Sequence, residues 1–294
     1  MRKLFWAALF AVWLIAPLAL QAQGDYLDVY IVQVKPDKVA EFESVARKIS
    51  DANRRNNGDN WLTAESMYGE ADTYMFTSGR KDYADVDKAN DTFMAAIHKA
   101  FGNEGAPKIL NEWESCLASS RTELRKRRWD LSRKAPTDPE GYAKLISESR
   151  VLRTIAVHVR PGHVPEFEDL LKQIKAASEQ NPNTGPVLVS EVIEGGKGNM
   201  FYVSYLRNSL GAFDSTPSMH EVLGDEGYKK YVQISADAIE GTESRILRFD
   251  PELSNPPQEI VAMAPDFWQP KPMVAEHAKA KTKAVEPAAE RTKQ

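Results

Sequence analysis

Val34-Lys35-Pro36-Asp37-Lys38-Val39-Ala40-Glu41-Phe42-Glu43 is written twice in this 294-residue chain. Val159-Arg160-Pro161-Gly162-His163-Val164-Pro165-Glu166-Phe167-Glu168 repeats it, displaced by 125 positions. Each copy ends an alternating, β-like run and turns on a basic residue plus proline, which pre-sets φ and cannot donate to a ladder. Each then enters a segment in which apolar residues recur at three and four steps. Val39, Phe42, Val45, Ala46 and Ile49 are matched by Val164, Phe167, Leu170, Leu171 and Ile174. That spacing predicts a helix laying one stripe on a sheet. Asp37 is the expected N-cap. The acids Glu41, Glu43, Glu166 and Glu168 suit the positive end of a helix, a role that competes with a catalytic one.

Working outward, Tyr26 to Val34 reads as a strand. A polar stretch over Asn53 to Asn60 precedes two short strands, Trp61 to Tyr68 and Asp72 to Ser78. The second half repeats the order: a turn over Asn181 to Gly185, then strands over Pro186 to Glu194 and Asn199 to Leu206. Short glycine-containing connections make both pairs antiparallel hairpins, with Gly195-Gly196-Lys197-Gly198 as a hairpin tip rather than a phosphate loop. Helical segments follow, and the halves match again at an offset of 122: Ile97-His98-Lys99-Ala100-Phe101-Gly102-Asn103-Glu104-Gly105 lies over Met219-His220-Glu221-Val222-Leu223-Gly224-Asp225-Glu226-Gly227. Further helices (Pro107 to Ser119, Tyr228 to Ile239) lead to closing strands over Arg121 to Asp130 and Glu243 to Asp250. Arg125-Lys126-Arg127-Arg128 puts charge on both faces of the first closing strand, which predicts a sheet edge protected from pairing, with a site for an anionic partner as the competing reading.

Residues 1–22 have a positive start (Arg2, Lys3), an apolar run over Leu4 to Leu20 and a small-residue cleavage site ending at Ala22, the pattern of a secretory signal peptide. Retention as an N-terminal anchor is the competing reading. No other stretch is apolar enough to cross a bilayer, so the expected location is secreted or periplasmic. Removing Arg2 and Lys3 from 38 basic residues leaves 36 against 42 acidic, a formal charge of −6, which argues against a general nucleic-acid binder. The single Cys116 cannot form an internal disulfide and reads as a buried packing thiol.

The boundaries expected are repeat 1 over residues 23–131, a linker over 132–148, repeat 2 over 149–253 and a tail over 254–294. The tail is proline-punctuated and then Ala/Lys/Glu-rich, too poor in bulky apolar residues to fold alone. Phe267-Trp268-Gln269-Pro270 either docks a partner or tacks the arm onto its own domain. Each repeat reads β-α-β-β-α-β, the ferredoxin-like plan of the α+β class. Through the strand-Pro-helix-Glu-Phe pattern over residues 26–130 and 152–250, the chain resembles the dimeric α/β-barrel superfamily, which includes antibiotic-biosynthesis-monooxygenase-like and NIPSNAP-like domains. The resemblance implies two sheets facing each other, here as a monomeric pseudo-dimer, around a cavity for a small apolar molecule. It also implies an alternative: oxidation of an aromatic substrate, or haem bound through a histidine.

The candidate functional residues are His98 and His220, retained at matching positions, with Glu104 and Glu226 six residues on. A histidine there suits acid/base work or a ligand site. The competing reading is a helix end closed by Gly102 or Gly224, where histidine favours the C-terminal dipole. The spacing does not give a metal site. His158 is a third candidate, on the strand face opposite Val157 and Val159. No Ser-His-Asp order, metal-helix motif or dinucleotide fingerprint is present.

Overall fold

The computed structural model describes residues 25–269. The expected signal peptide, and the tail beyond Gln269, lie outside the described residues. β1 (Tyr26–Val34) turns through a short 3-10 segment, Pro36–Lys38, into α1 (Val39–Asn56). The expected Asp37 cap does not form, because the residue is absorbed into that turn and α1 starts without a side-chain cap. Glu41 does serve the helix start: its carboxylate takes Lys38 Nζ at 2.6 Å, as Glu166 faces His163 Nδ1 at 2.7 Å in the second half. α1 also runs further than its polar end predicts. Asn53 is fully buried, donates to the Ile49 carbonyl and accepts from the Asp59 amide, so its side chain closes the helix end.

The hairpin β2 (Trp61–Tyr68) and β3 (Thr73–Arg80), then α2 (Tyr83–Cys116) and β4 (Leu117–Arg127), complete the first half. The second half follows the same order: β5 (Val151–Val159), α4 (Val164–Gln180), β6 (Leu188–Glu194), β7 (Asn199–Arg207), α5 (Met219–Ala238) and β8 (Ile239–Asn255). Between the halves lies α3 (Pro139–Glu148), capped by Asp138 on the Gly141 amide. Gly102 (φ 72°) and Gly224 (φ 67°) break α2 and α5 at equivalent points, in the left-handed region that glycine tolerates without a Cβ penalty.

The eight strands close into one antiparallel barrel in the order β1-β3-β2-β8-β5-β7-β6-β4. Read as 4-1-3-2 followed by 8-5-7-6, these are two ferredoxin-like sheets joined at two seams, β2 with β8 and β4 with β6. The helices cover the outside. The α1 stripe packs with Val32, Val34 and Tyr74, and the α4 stripe with Val157, Val159 and Phe201. Cys116 is buried in the first of these layers and its thiol meets the Glu112 carbonyl.

Other expectations are overturned. The basic run is not an edge: β4 pairs with β1 on one side and β6 on the other, and in a closed barrel no edge remains for charge to protect. Both closing strands also differ in extent, β4 beginning at Leu117 and β8 reaching Asn255. The chain does not become a tail at residue 254. Helices α6 (Gln258–Met263) and α7 (Pro265–Trp268) fold back against α3 and β8, with Trp268 buried against Phe249 and its Nε1 donating to the Ser147 carbonyl at 3.2 Å. Pro256-Pro257 read as extended chain, yet Pro257 only precedes the first turn of α6, where a missing N–H is harmless. Tyr142, Ala143 and Ile146 of α3, with Ile260 and Trp268, join the inward-facing strand residues in one core and stopper one end of the barrel. Trp268→Ala is therefore expected to cost about 3–5 kcal/mol, read as a lower guanidinium midpoint with an unchanged slope.

Candidate functional site

Strand alternation sends one set of side chains to the helices and the other into the barrel. Leu27, Val29 and Ile31 of β1 and Leu152 of β5 are typical of the inward set, and all are apolar. β4 departs from this pattern. By register Arg125 lies across from Leu27, Glu123 from Val29 and Arg127 from Ser190, so its inward face reads Glu-Arg-Arg. All three are buried.

Glu123 and Arg125 pair with each other. Arg125 Nε donates to Glu123 Oε2 at 2.8 Å, and Nη2 lies 2.6 Å from the same oxygen at a poor hydrogen-bonding angle. Arg121 reaches Glu123 Oε1 at 3.2 Å from the mouth. Tyr202 of β7 completes the group: its hydroxyl donates to Glu123 Oε1 at 3.2 Å and its ring lies 3.4 Å beneath the Arg125 guanidinium. Burial pushes the Tyr202 phenol above its ordinary value, and Glu123 adds to this against the opposing pull of Arg125 and Arg121, so the phenol stays a neutral donor.

Arg127 is different, for among the described residues no carboxylate meets it. Its guanidinium lies 4.4 Å from the Tyr142 ring and 5.4 Å from the Trp129 ring, and its buried Nε and Nη1 have no hydrogen-bond partner. Aromatic faces offset part of the cost of burying a cation but supply no acceptor. Arg127 borders two spaces. One is an apolar cavity of about 90 Å³ inside the barrel, lined by Met75, Leu152 and Phe249 with the Thr154 and Ser204 hydroxyls (3.2 Å apart). The other is a cleft of about 590 Å³ at the stoppered end, walled by the α1–β2 loop, the start of α2 and α6. Leu27, Leu62, Thr77, Arg127 and Tyr142 line both, so the cavity and the cleft adjoin at Arg127.

None of the candidate residues His98, His220, Glu104, Glu226 and His158 lines that cavity, whereas Arg125 and Arg127 of the basic run do. His98 and Glu104 on α2, and His220 and Glu226 on α5, are exposed on the outer helices. His220 Nε2 meets Asp225 at 2.7 Å and its ring stands edge-on to Tyr228, a local arrangement at the Gly224 break. His158 has the inward parity of Thr154 and Ala156 but sits near the other mouth, 4.0 Å from Glu243. The residues that matter here had a signal in the sequence: Glu123-Leu-Arg125 recurs as Glu243-Ser-Arg245, at the spacing that sets Trp129-Asp130 over Phe249-Asp250. In the second copy Arg245 Nη2 again lies 3.2 Å from its Glu243.

A haem does not fit this lumen. Its volume is far below the roughly 300 Å³ at which cofactor pockets begin, and no histidine borders it. Among the described residues no cluster of three or more His, Cys, Asp or Glu is placed to hold a metal. No described helix is long and apolar enough to cross a membrane.

No protein-family model and no curated protein matches the chain. Solved structures do match. An anthrone oxidase-like protein superposes with a TM-score of 0.51 at 13% identity, over 78% of this chain and 93% of its own. This is a ferredoxin-like α/β barrel. A candidate monooxygenase from Fusobacterium nucleatum gives a TM-score of 0.50 at 13% identity, over 76% of this chain and 91% of its own. At such identities the likeness is one of fold.

Removing one partner of the buried pair tests the lumen electrostatics. Glu123→Gln is expected to destabilise by about 3–5 kcal/mol because Arg125 is left uncompensated, and Glu123→Gln/Arg125→Met is expected to recover most of that loss. Chemical denaturation of the two variants reads the difference.

Proposed function

We propose that this chain is an exported, single-chain barrel, built by duplication of one ferredoxin-like unit, that binds a small amphipathic organic acid. The apolar end of the ligand enters the lumen, its acid group meets Arg127, and the remainder lies in the cleft. The observation that carries this reading is Arg127: a buried guanidinium with two unpartnered N–H groups at the junction of an apolar cavity and a cleft. The cleft has the volume of small-molecule sites, and apolar walls with a few polar anchors are their usual makeup. A charge-assisted bond to that guanidinium contributes about 1.5–3 kcal/mol, which is enough to select an acid over its neutral analogue.

Duplication is supported by the shared strand order, the matched helix breaks at Gly102 and Gly224, and the repeated Glu-x-Arg of the closing strands. Export rests on the pattern of residues 1–22 alone. The enzymatic alternative gains some support from the name of the anthrone oxidase-like relative. Oxidation in the lumen would need a free base there, however, and Glu123 is already held by Arg121, Arg125 and Tyr202. His98 and His220 lie on the far side of the sheets, so any role for them is at the outer surface. A docking role for the segment around Trp268 would have to displace it from the barrel end.

Calorimetric titration with a series of aromatic and medium-chain carboxylic acids, each paired with its alcohol, tests the binding reading. Acids are expected to bind wild-type protein at least about tenfold more tightly than their alcohols, and Arg127→Met to abolish that preference while leaving the alcohols unchanged. Equal affinity of acid and alcohol for the wild type overturns it. For the processed protein, native mass spectrometry is expected to give a monomer beginning at Gln23; an obligate dimer counts against the single-chain barrel, and a retained Met1 against export.

A further inference from the structure

The two halves treat one structural position in opposite ways. Arg80 ends β3 across from Tyr26, the first residue of β1, and Arg207 ends β7 across from Val151, the first residue of β5. In the first half the arginine is satisfied internally. Asp59 takes Arg80 Nη1 at 2.9 Å and Nη2 at 2.6 Å, a two-pronged pair, and Asp28 approaches Nη2 at 3.3 Å.

In the second half those acids are gone. The third residue of β5 is Arg153 where β1 has Asp28. The loop before β6 offers Gly185, so close to the guanidinium that an added Cβ would stand 3.1 Å from Arg207 Nη2. Arg133 joins them, only 5% exposed, its side chain hydrogen-bonded through Nη2 to the Tyr205 hydroxyl at 3.1 Å. Arg207 donates only to the backbone carbonyls of Pro186 and Leu206, and among the described residues no carboxylate forms an ion pair with any of the three guanidinium groups. Burial pulls the Arg207 guanidinium below its ordinary value, with Arg133 adding repulsion. The three surround Tyr205, at 5.7, 5.9 and 5.9 Å from its ring, and line a pocket of about 280 Å³. Its lining contains hydroxyls (Ser178, Thr184, Thr216, Ser218) and no acid.

We propose that this pocket, on the outer face of the second sheet and separate from the lumen, binds a dianionic oxyanion: phosphate or a small phosphate monoester. The ligand takes the place that Asp59 and Asp28 occupy beside Arg80. Three cations closing on one space call for more than one negative charge, which a single carboxylate cannot supply. Guanidinium forks are the donors that phosphate oxygens accept from, whereas the Thr184 and Ser218 hydroxyls already donate to the Ser178 carbonyl and the Glu221 carboxylate. The pocket exceeds inorganic phosphate in size and has an apolar side (Phe213, Met219, Val222), which leaves room for the organic part of an ester.

Thermal unfolding of the full chain is followed in inorganic phosphate, glycerol phosphate, succinate, and sodium chloride at matched ionic strength. Phosphate and its ester are expected to raise the Tm by several degrees over the chloride control at concentrations well above Kd. Arg153 is half-buried and can be replaced without opening the core. Arg153→Asp restores the carboxylate of the first half, so it is expected to raise the Tm in phosphate-free buffer and to weaken phosphate binding at least about tenfold. A purely structural role for Arg153 predicts a lower Tm instead. The proposal is overturned if phosphate acts no differently from chloride, if succinate stabilises and phosphate does not, or if Arg153→Asp keeps the full phosphate response.

Discussion

The structure depends on two seams. A four-stranded ferredoxin-like sheet covers one face with helices and leaves the other bare, along with two open edges. Pairing β2 with β8 and β4 with β6 removes all four edges and turns both bare faces into one interior. Everything inward-facing is thereby taken out of water, and every charge there must find a partner or bear a desolvation cost of several kcal/mol. Glu123, Arg125 and Tyr202 form a group that satisfies this demand. Arg127 does not satisfy it, which is why the ligand reading rests on that residue.

The sequence foretold elements well and their partners poorly. The stripes Phe42-Val45-Ala46-Ile49 and Phe167-Leu170-Leu171-Ile174 are buried as their spacing requires, since helix periodicity reports a local face. The run Arg125-Lys126-Arg127-Arg128 shows the limit. Its alternation was legible, with Arg125 and Arg127 on one face and Arg128 on the other, bound to Asp130, Glu168 and Glu191. Which face was interior was not legible, because nothing local says that a charged strand will gain β1 on one side (Tyr26 across from Lys126) and β6 on the other (Ser190 across from Arg127), both far away in sequence. A charged face ordinarily means solvent, and in a closed barrel that inference fails. The repeated histidines misdirected attention for a related reason. Matching positions in the two halves mark what both copies share, and both share a helix break at glycine.

Shared residues in an internal repeat tend to be those the fold needs, so residues where the copies part are the better pointer to function. Glu123-x-Arg125 and Glu243-x-Arg245 are common to both closing strands and neutralise each other in place. Two positions on from each shared arginine, Arg127 faces the cavity in the first half and Leu247 packs in the core in the second. One half has an apolar barrel stave at this position, and the other a cation with no carboxylate partner among the described residues.

Arg80 and Arg207 hold equivalent strand ends, so the demands of the backbone and of the sheet are the same for both. If an arginine there served packing alone, its buried charge would still require a counter-ion, and Asp59 with Asp28 shows how this fold provides one. The second half instead offers glycine and a further arginine, and adds Arg133 from the segment that leads out of β4. Crowding one buried and two half-buried like charges around Tyr205 is costly, and ring contacts at 5.7–5.9 Å offset only part of that cost. An anion bound there would meet the same demand, and the first half shows what it would stand in for: a carboxylate gripped by both prongs of the guanidinium, with a second acid beside it.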